Sequence, residues 1–175
     1  NIKLKNKRIF VSGGSGVIGT ELVKKLNDLG AIIFVGDLKP RPKNFPNNIL
    51  YRQGDLNQIT KKELEEFNPE YFFHLAATFE RSEESYEFWN ENYEHNIKLS
   101  HHLMTNLKNC KLLKKVIFAS SYLIYNPELY TSSKKPKKIT RLNELDSIYP
   151  RNTCGAAKLF HENEIKFFDN FTKTN

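Results

Sequence analysis

The stretch from Arg8 to Asp37 constrains the fold more than any other part of the chain. It reads RIFVSGGSGVIGTELVKKLNDLGAIIFVGD: an apolar run, a glycine-rich turn, an amphipathic segment that Gly30 closes, and a second apolar run from Ile32 to Val35. Two strand-length apolar runs on either side of a segment with helical periodicity predict a strand–helix–strand unit. We therefore expect a parallel sheet in which a helix connects neighbouring strands.

Three glycines, Gly13, Gly16 and Gly19, occupy the turn with the spacing G-x-x-G-x-x-G. A turn that holds a pyrophosphate needs a sharp bend, close approach of the backbone to the phosphates and tight contact between helix and strand, and a small residue meets each need. The amide groups at the start of the following helix then face the phosphates. The alternative is a glycine-rich turn that binds nothing, but the intact strand–turn–helix context favours a dinucleotide site.

Asp37 ends the second predicted strand. An acidic side chain at this position can accept hydrogen bonds from both hydroxyls of an adenosine ribose, which favours NAD. Lys39 and Arg41 follow closely and offer positive charge for a 2′-phosphate, so NADP stays open as the alternative.

The remaining chain continues the alternation of strand and helix. Further strands are predicted at Ile49–Arg52, Tyr71–Leu75 and Lys114–Ser120, and helices at Lys61–Phe67, Glu83–Asn109 and Thr153–Phe171. We expect at least five strands, nearly all of them separated by helix or helical turn. This pattern predicts an α/β fold with a Rossmann-type, doubly wound parallel sheet in three α/β/α layers. The last helix carries Phe160, Phe167 and Phe171 on one stripe.

Several residues follow predicted strand ends, where ligands of such sheets bind. Asp55 can accept from an adenine amino group while Leu56 packs against the ring; the alternative is that Asp55 and Asn57 cap the helix at Lys61–Phe67. The small residues Ala76 and Ala77 let a cofactor lie across the sheet edge. His74, inside its strand, is expected to be a hydrogen-bonded core residue.

With 175 residues and 39% hydrophobic content, the chain is expected to be one globular domain, residues 1–175. No window resembles a signal peptide or a membrane span. The two cysteines lack the spacing of a disulfide framework, which favours a cytoplasmic location. The remaining histidines lack the spacing of metal ligands, so no metal is predicted: His95, His101, His102 and His161.

The formal net charge is +7, and much of the surplus lies in one short run, Lys134, Lys135, Pro136, Lys137 and Lys138. A run of this kind is typical of a solvated loop. The functional alternative is a basic rim that attracts a phosphorylated substrate. Neither stacking aromatic residues nor a helix-turn-helix pattern accompanies the run, which argues against nucleic acid as a partner.

Six motifs in order resemble the extended short-chain dehydrogenase/reductase family, specifically its nucleotide-sugar epimerases and dehydratases. They are GGSGVIG at Gly13–Gly19, the acidic Asp37, GDL at Gly54–Leu56, FHLAA at Phe73–Ala77, NIKLS at Asn96–Ser100 and FASSYLIY at Phe118–Tyr125. The resemblance implies a nucleotide-sugar substrate, which Ser121 would bind. It also implies cofactor contacts from the glycines and from Val17, Ile18, Asp37, Asp55, Leu56, Leu75, Ala76, Ala77, Asn96 and Lys158.

The catalytic signature of that family is Tyr, three residues, then Lys on the final helix. Lys158 fits within CGAAK, but Cys154 holds the tyrosine position. Residues at i and i+4 share one helix face, and a thiol titrates near pH 8.5 against about 10 for a phenol, so Cys154 can take over the acid–base role. A thiol is also much shorter than a phenol. Three tyrosines therefore stay open as alternative acid–base groups: Tyr149, Tyr122 and Tyr125. A further alternative is that Cys154 is only a small helix residue and that the family's catalytic chemistry is lost.

Two further differences from the family pattern narrow the expected reaction and the expected extent of the protein. One large group of sugar-nucleotide 4,6-dehydratases carries an Asp-Glu pair where this chain has Tyr122 and Leu123, so epimerisation or simple oxidation–reduction fits better than elimination. Family members also continue past the final helix into a lobe that holds the nucleotide-sugar. Because the chain begins at Asn1 and stops at Asn175, we expect a cofactor-binding fragment of a longer protein, or a non-catalytic NAD-binding module.

The two long predicted helices carry apolar stripes on one face. Equivalent helices of two subunits pack as a four-helix bundle in the family. The resemblance therefore implies a homodimer.

Overall fold

A computed structural model describes residues 4–79, 85–131 and 141–172, with side chains as far as Asp169. The lysine run at 134–138 lies outside the described residues, as do the predicted helix start at Glu83 and the side chain of Phe171. No helix in the described ranges is long and apolar enough to cross a membrane.

Five parallel strands form one sheet with the spatial order β3-β2-β1-β4-β5. The strands are β1 (Arg8–Ser12), β2 (Ile32–Asp37), β3 (Leu50–Gln53), β4 (Tyr71–His74) and β5 (Lys115–Phe118). In the sheet, β2 lies on one side of β1, and β4, which comes later in the chain, lies on the other side of β1. The strand order reverses between β1 and β4, and a crevice opens beyond the carboxyl ends of the strands at such a point.

The helices are α1 (Val17–Asp28), α2 (Lys61–Phe67), α3 (Tyr86–Asn92), α4 (Leu99–Leu107) and α5 (Thr153–Thr172). A π-helical segment, Tyr93–Lys98, joins α3 to α4, so the long predicted helix is continuous from Tyr86 to Leu107 but contains a wider turn. Hydrophobic periodicity did not reveal this turn. A loop of turns joins β2 to β3, whereas helix lies between the strands of the other consecutive pairs.

Two hydrophobic clusters cover the two faces of the sheet. Alternate residues of β1 point to opposite faces, so Ile9 and Val11 pack with Val23 of α1 while Phe10 packs on the other face with residues of α2 and α4. Phe10 stacks on Phe72 of β4 with ring centroids 5.0 Å apart. The three-layer α/β/α prediction is confirmed.

Candidate functional site

The glycine turn joins β1 to α1 at the centre of the sheet. Gly13 has φ +72°, and a Cβ there would lie 2.6 Å from the backbone nitrogen of Ala76 at the end of β4. A Cβ on Gly19 would lie 2.3 Å from the Gly13 carbonyl oxygen, so both positions leave space only for glycine. Gly16 precedes α1 and provides no side-chain cap, and the first-turn amides therefore face outward beside the exposed Val17 and Ile18.

Asp37 is held rigidly at the end of β2. Its Oδ2 accepts from the Ser15 amide at 2.9 Å and its Oδ1 from the Lys39 amide at 3.0 Å, with the side chain 9% exposed. Each carboxylate oxygen has two lone pairs, so both can accept a further hydrogen bond. Tyr51 donates to the Lys39 carbonyl at 2.7 Å and fixes the segment that follows Asp37.

Arg41 is occupied elsewhere. Its Nη1 donates to the Ile49 carbonyl at 2.7 Å and its Nη2 to the Pro46 carbonyl at 2.5 Å. The guanidinium therefore closes the loop between β2 and β3. This arrangement removes one of the two cations considered for a 2′-phosphate.

Asp55 caps a short helical turn. Its Oδ1 accepts from the Asn57 amide at 2.8 Å, at the start of the single 3₁₀ turn Leu56–Gln58. The prediction that Asp55 and Asn57 cap α2 is wrong, because Thr60 caps α2 in a capping box with Glu63. Leu56 is buried, and a Cβ on Gly36 would lie 2.4 Å from its Cδ2.

A cavity of about 290 Å³ runs along the carboxyl ends of the central strands. It brings together eight predicted residues: Gly13, Gly16, Asp37, Asp55, Leu56, Leu75, Ala76 and Ala77. Gly19, Val17 and Ile18 do not line it. Its other lining residues are Leu38, Lys39, Thr78, Glu91, His95 and Leu99.

Of this second group, the sequence analysis named only Lys39 as a possible cofactor contact, for NADP. A signal for the others was available. Thr78 directly follows Ala77, and Glu91, His95 and Leu99 recur every four residues along one helix face.

A narrow cleft shares Ala76 and Ala77 with the cavity and reaches Asn96 and Lys158. The Lys158 ammonium donates to the Ala119 carbonyl at 2.8 Å and lies 4.7 Å from the ring centre of Phe118. Burial lowers the pKa of Lys158, and the neighbouring Cys154 opposes this shift. Lys158 is thus a partly desolvated cation where the resemblance expects one.

Cys154 lies one turn before Lys158 and is only 4% exposed. Its Sγ lies 3.6 Å from the Thr78 carbonyl oxygen, to which it donates, and 3.9 Å from the Asn96 side-chain nitrogen. Ser121 lies outside the walls of both the cavity and the cleft, and its hydroxyl accepts from the Leu123 amide at 3.2 Å. The structure therefore unites Cys154 with Lys158 and Asn96, but it does not bring Ser121 into that wall.

Asn96 lies in the π-helical segment, and its side chain hydrogen-bonds to both the amide and the carbonyl of Thr78. Its Oδ1 accepts from the Thr78 amide at 2.9 Å, and its Nδ2 donates to the Thr78 carbonyl at 2.9 Å and to Asn92 Oδ1 at 2.6 Å. The Thr78 hydroxyl donates to Glu91. These bonds fix the cavity wall where β4 ends.

His74 is 1% exposed and hydrogen-bonded to two serines, as expected for a core residue. Burial holds its pKa well below the ordinary value, and the nearby His161 and Lys158 act in the same direction. Within the described ranges, no group of three or more His, Cys, Asp or Glu residues is arranged to hold a metal ion.

A parallel sheet of order β3-β2-β1-β4-β5, a glycine turn at its switch point and an acid at the end of β2 define a Rossmann-type dinucleotide-binding domain. Residues 9–170 match the profile described as the NAD dependent epimerase/dehydratase family. The chain belongs to that family.

Known proteins resemble this chain over its greater part. CDP-glucose 4,6-dehydratase of Salmonella typhimurium is 30% identical over 131 residues, which are 70% of this chain and 36% of that protein. MoeE5, solved in complex with UDP-glucose and NAD, has a TM-score of 0.73 and 25% identity and covers 91% of this chain. UDP-glucose 4-epimerase of Thermus thermophilus, solved with NAD, has a TM-score of 0.79, 23% identity and 95% coverage. The chain spans 48% of MoeE5, 52% of the epimerase and 36% of the dehydratase.

Proposed function

We propose that the chain is the NAD-binding domain of an NAD-dependent epimerase or oxidoreductase that acts on a nucleotide-sugar in the cytoplasm. One observation carries the proposal: the cavity runs from the glycine turn past Asp37 and adjoins the cleft that holds Lys158. The CDP-glucose dehydratase and the MoeE5 complex with UDP-glucose and NAD support the substrate class. Residues 1–175 are proposed to form one domain of a longer protein.

The residues present fit a dinucleotide. Gly13 leaves room for close backbone approach, and the uncapped start of α1 offers amide donors to a pyrophosphate. Leu56 and Asp55 line the end of the cavity that would take adenine. Val17, Ile18 and Gly19 would support the phosphates from the turn, and Asn96 and Lys158 would hold the nicotinamide half. NAD, when bound there, would accept a hydride from the sugar.

Asp37 is proposed to select NAD over NADP. Its carboxylate is anchored by two amides, so it cannot swing away from a 2′-phosphate, and the charge repulsion would remain. Arg41 is committed to two backbone carbonyls. Of the two cations considered for a 2′-phosphate, Lys39 and Arg41, only Lys39 remains to bind one.

Calorimetry on this chain tests the proposal. We expect NAD to bind more tightly than NADP, and Asp37→Ala to weaken NAD binding about tenfold, through loss of hydrogen bonds to a charged acceptor. Asp28→Ala, which removes an exposed carboxylate at the far end of α1, is the control and should bind NAD as the wild type does. Equal affinities, or tighter NADP, would instead assign the site to Lys39.

The acid–base chemistry is proposed to involve Cys154, with Lys158 as the neighbouring cation and Ser121 as a substrate-binding hydroxyl. In this role the thiolate would take the proton of a sugar hydroxyl, and Lys158 would stabilise the negative charge. Because Tyr122 and Leu123 occupy the positions of the Asp-Glu pair, we favour epimerisation or oxidation–reduction over elimination of water.

A second candidate function is a non-catalytic NAD-binding module. The direction of the Cys154 thiol favours it, since Sγ donates to the Thr78 carbonyl and the side chain is nearly inaccessible. In that case Cys154 would be a packing residue, and the domain would serve sensing or assembly within a longer protein.

A homodimer is proposed as the assembled form. Large aromatic side chains on α3 and α5 are exposed: Tyr86, Trp89, Phe160 and Phe167 are 78%, 45%, 52% and 63% exposed. Exposed aromatic stripes on two neighbouring helices are typical of an interface. A second copy of the chain would cover them by pairing the same helices around a two-fold axis.

A further inference from the structure

His74 connects the central sheet to the π-helical segment. Its Nδ1 lies 2.6 Å from Ser12 Oγ of β1, and its Nε2 lies 2.8 Å from Ser100 Oγ of α4. Ser100 Oγ in turn donates to the Asn96 carbonyl at 2.5 Å, and the Ala76 amide donates to Ser12 Oγ at 3.4 Å. Five polar groups thus form a chain from the Ala76 amide, just after β4, to Asn96, the residue that holds Thr78.

The direction of every bond in this chain is fixed by counting protons. A carbonyl can only accept, so the single proton of the Ser100 hydroxyl is committed to Asn96. His74 must then donate from Nε2 to the Ser100 oxygen. A buried neutral imidazole carries one proton, so Nδ1 accepts from the Ser12 hydroxyl.

We propose that His74 is a positioning residue, held in its Nε2–H form, that sets Asn96 and through it the Thr78 wall of the cofactor cavity. This inference rests on the proposed binding of NAD. An apolar side chain would fill the same space between Phe72 and Phe118, whose ring centres lie 5.5 and 5.4 Å away. An apolar side chain could not hydrogen-bond to Ser12 and Ser100, so the link from β1 through Ser100 to the Asn96 carbonyl would be broken.

The position of Asn96 matters because its side chain has little freedom of its own. The amide must present Oδ1 to the Thr78 nitrogen and Nδ2 to the Thr78 oxygen at the same time. Asn96 lies in the wall of the cleft and Thr78 in the wall of the cavity. A shift of the Asn96 backbone would therefore move the wall between them.

Nitrogen-15 NMR of the imidazole at neutral pH tests the relay directly, with the His74 signals assigned by their loss in His74→Gln. We expect the wild type to be in the Nε2–H form. Ser100→Ala removes the acceptor of that proton while Ser12 still donates to Nδ1, so the ring should stay in the Nε2–H form and its Nε2 signal should shift because the hydrogen bond is lost. Ser100→Thr keeps a hydroxyl and should keep the wild-type Nε2 signal. A wild type in the Nδ1–H or doubly protonated form, or an unchanged Nε2 signal in Ser100→Ala, would overturn the relay.

NAD calorimetry on the same proteins tests the positioning role. Ser100→Ala should bind NAD about fivefold more weakly, and Ser100→Thr should restore binding. Cys110→Ala is the matched control, because it removes another buried donor, the thiol 3.5 Å from the Leu64 carbonyl, and should lower stability without changing NAD affinity.

The outcomes separate the two claims. Wild-type affinity in Ser100→Ala, with the Nε2 signal shifted, would overturn the positioning role and leave the proposed function intact. Failure of the wild type to bind NAD would overturn the proposed function and the positioning role together, while the tautomer would still be read from the NMR spectra.

Discussion

The two cysteines show how position changes the chemistry of one residue type. Cys110 lies in the hydrophobic cluster under α2 and α4, and burial raises the pKa of its thiol to about 11. Cys154 is equally buried, lies one helical turn before Lys158 and donates to the Thr78 carbonyl. The proposed acid–base role requires its thiolate, the reactive form, which a neighbouring cation favours.

Alkylation tests the role of Cys154. If Cys154 is the acid–base group, iodoacetamide should modify it faster than Cys110, and bound NAD should protect it by covering the site. In the full-length protein, Cys154→Ala should abolish turnover, a loss of at least about a hundredfold, and Cys154→Tyr should preserve or raise it. Cys110→Ala serves as the control for both measurements.

Two results would decide against a catalytic thiol. Full activity of Cys154→Ala would transfer the acid–base role to one of the nearby tyrosines, of which Tyr122 and Tyr149 are 56% and 68% exposed. Binding of NAD without turnover of any nucleotide-sugar by the full-length protein would favour the non-catalytic module.

Among single residues, the sequence could predict those whose position depends only on neighbouring parts of the chain. Gly13, Gly16 and Asp37, which share one cavity, could be predicted because each occupies a fixed place in a strand–turn–helix–strand unit. Glu91 was missed although it shares a helix face with His95 and Leu99, because its contact with Thr78 depends on how that helix packs beside the end of β4. The inward direction of the Cys154 thiol was also missed, because it depends on where the end of β4 meets α5.

Among the elements, Glu70 links residues at the amino ends of β1, β4 and β5. Its carboxylate accepts from Lys114 at 2.7 Å, just before β5, and from Lys7 at 3.1 Å, just before β1. The hydrogen bond from Lys114 is the largest influence and, with that from Lys7, lowers the pKa of Glu70 below its ordinary value. Glu70 thus joins the starts of β1, β4 and β5.

This contact predicts a pH dependence of stability. A carboxyl whose pKa is lowered in the folded state stabilises the protein above the unfolded pKa of about 4.5, and this contribution is lost as the pH falls through the folded value. The free energy of unfolding should therefore fall less steeply below pH 5 in Glu70→Gln than in the wild type. Urea denaturation at several pH values measures this. Equal slopes would contradict the contact, and Glu21→Gln, an exposed site on α1, is the control.

Element boundaries were predictable where one residue type determines them. The end of α1 just before Gly30, with φ +78°, follows from that glycine. The start of α2 follows from the Thr60–Glu63 capping box, a signal that was passed over in favour of Asp55 and Asn57. The π-helical turn was not predictable, because apolar residues recur at similar intervals on both sides of it. The loop between β2 and β3 was predictable, because the prolines and asparagines after Asp37 favour turns over helix.

At the scale of the whole molecule, the uncovered aromatic side chains of α3 and α5 predict self-association. Light scattering should give a mass near twice the 20.5 kDa of one chain. Trp89→Asp and Phe160→Asp should each shift the chain toward monomer, because a charge in an apolar interface costs free energy when it is desolvated. Leu145→Asp, at a residue 95% exposed on a separate loop, is the control and should leave the mass unchanged. A wild type that stays monomeric at high concentration would contradict the dimer.

The wide turn at Tyr93–Lys98 has a consequence for how the chain can change in length. A π turn completes 360° with about one residue more than an α turn, so removing one residue there would convert it to an ordinary turn and leave α3 and α4 in nearly the same orientation about the helix axis. Glu91 and Asn92 would therefore keep the side that faces Thr78 and Asn96, their present partners. The same deletion inside α4 would instead rotate everything on its amino-terminal side by about 100°. A gene that loses one codon of the wide turn, other than that of Asn96, would therefore encode a folded protein that keeps this cavity wall.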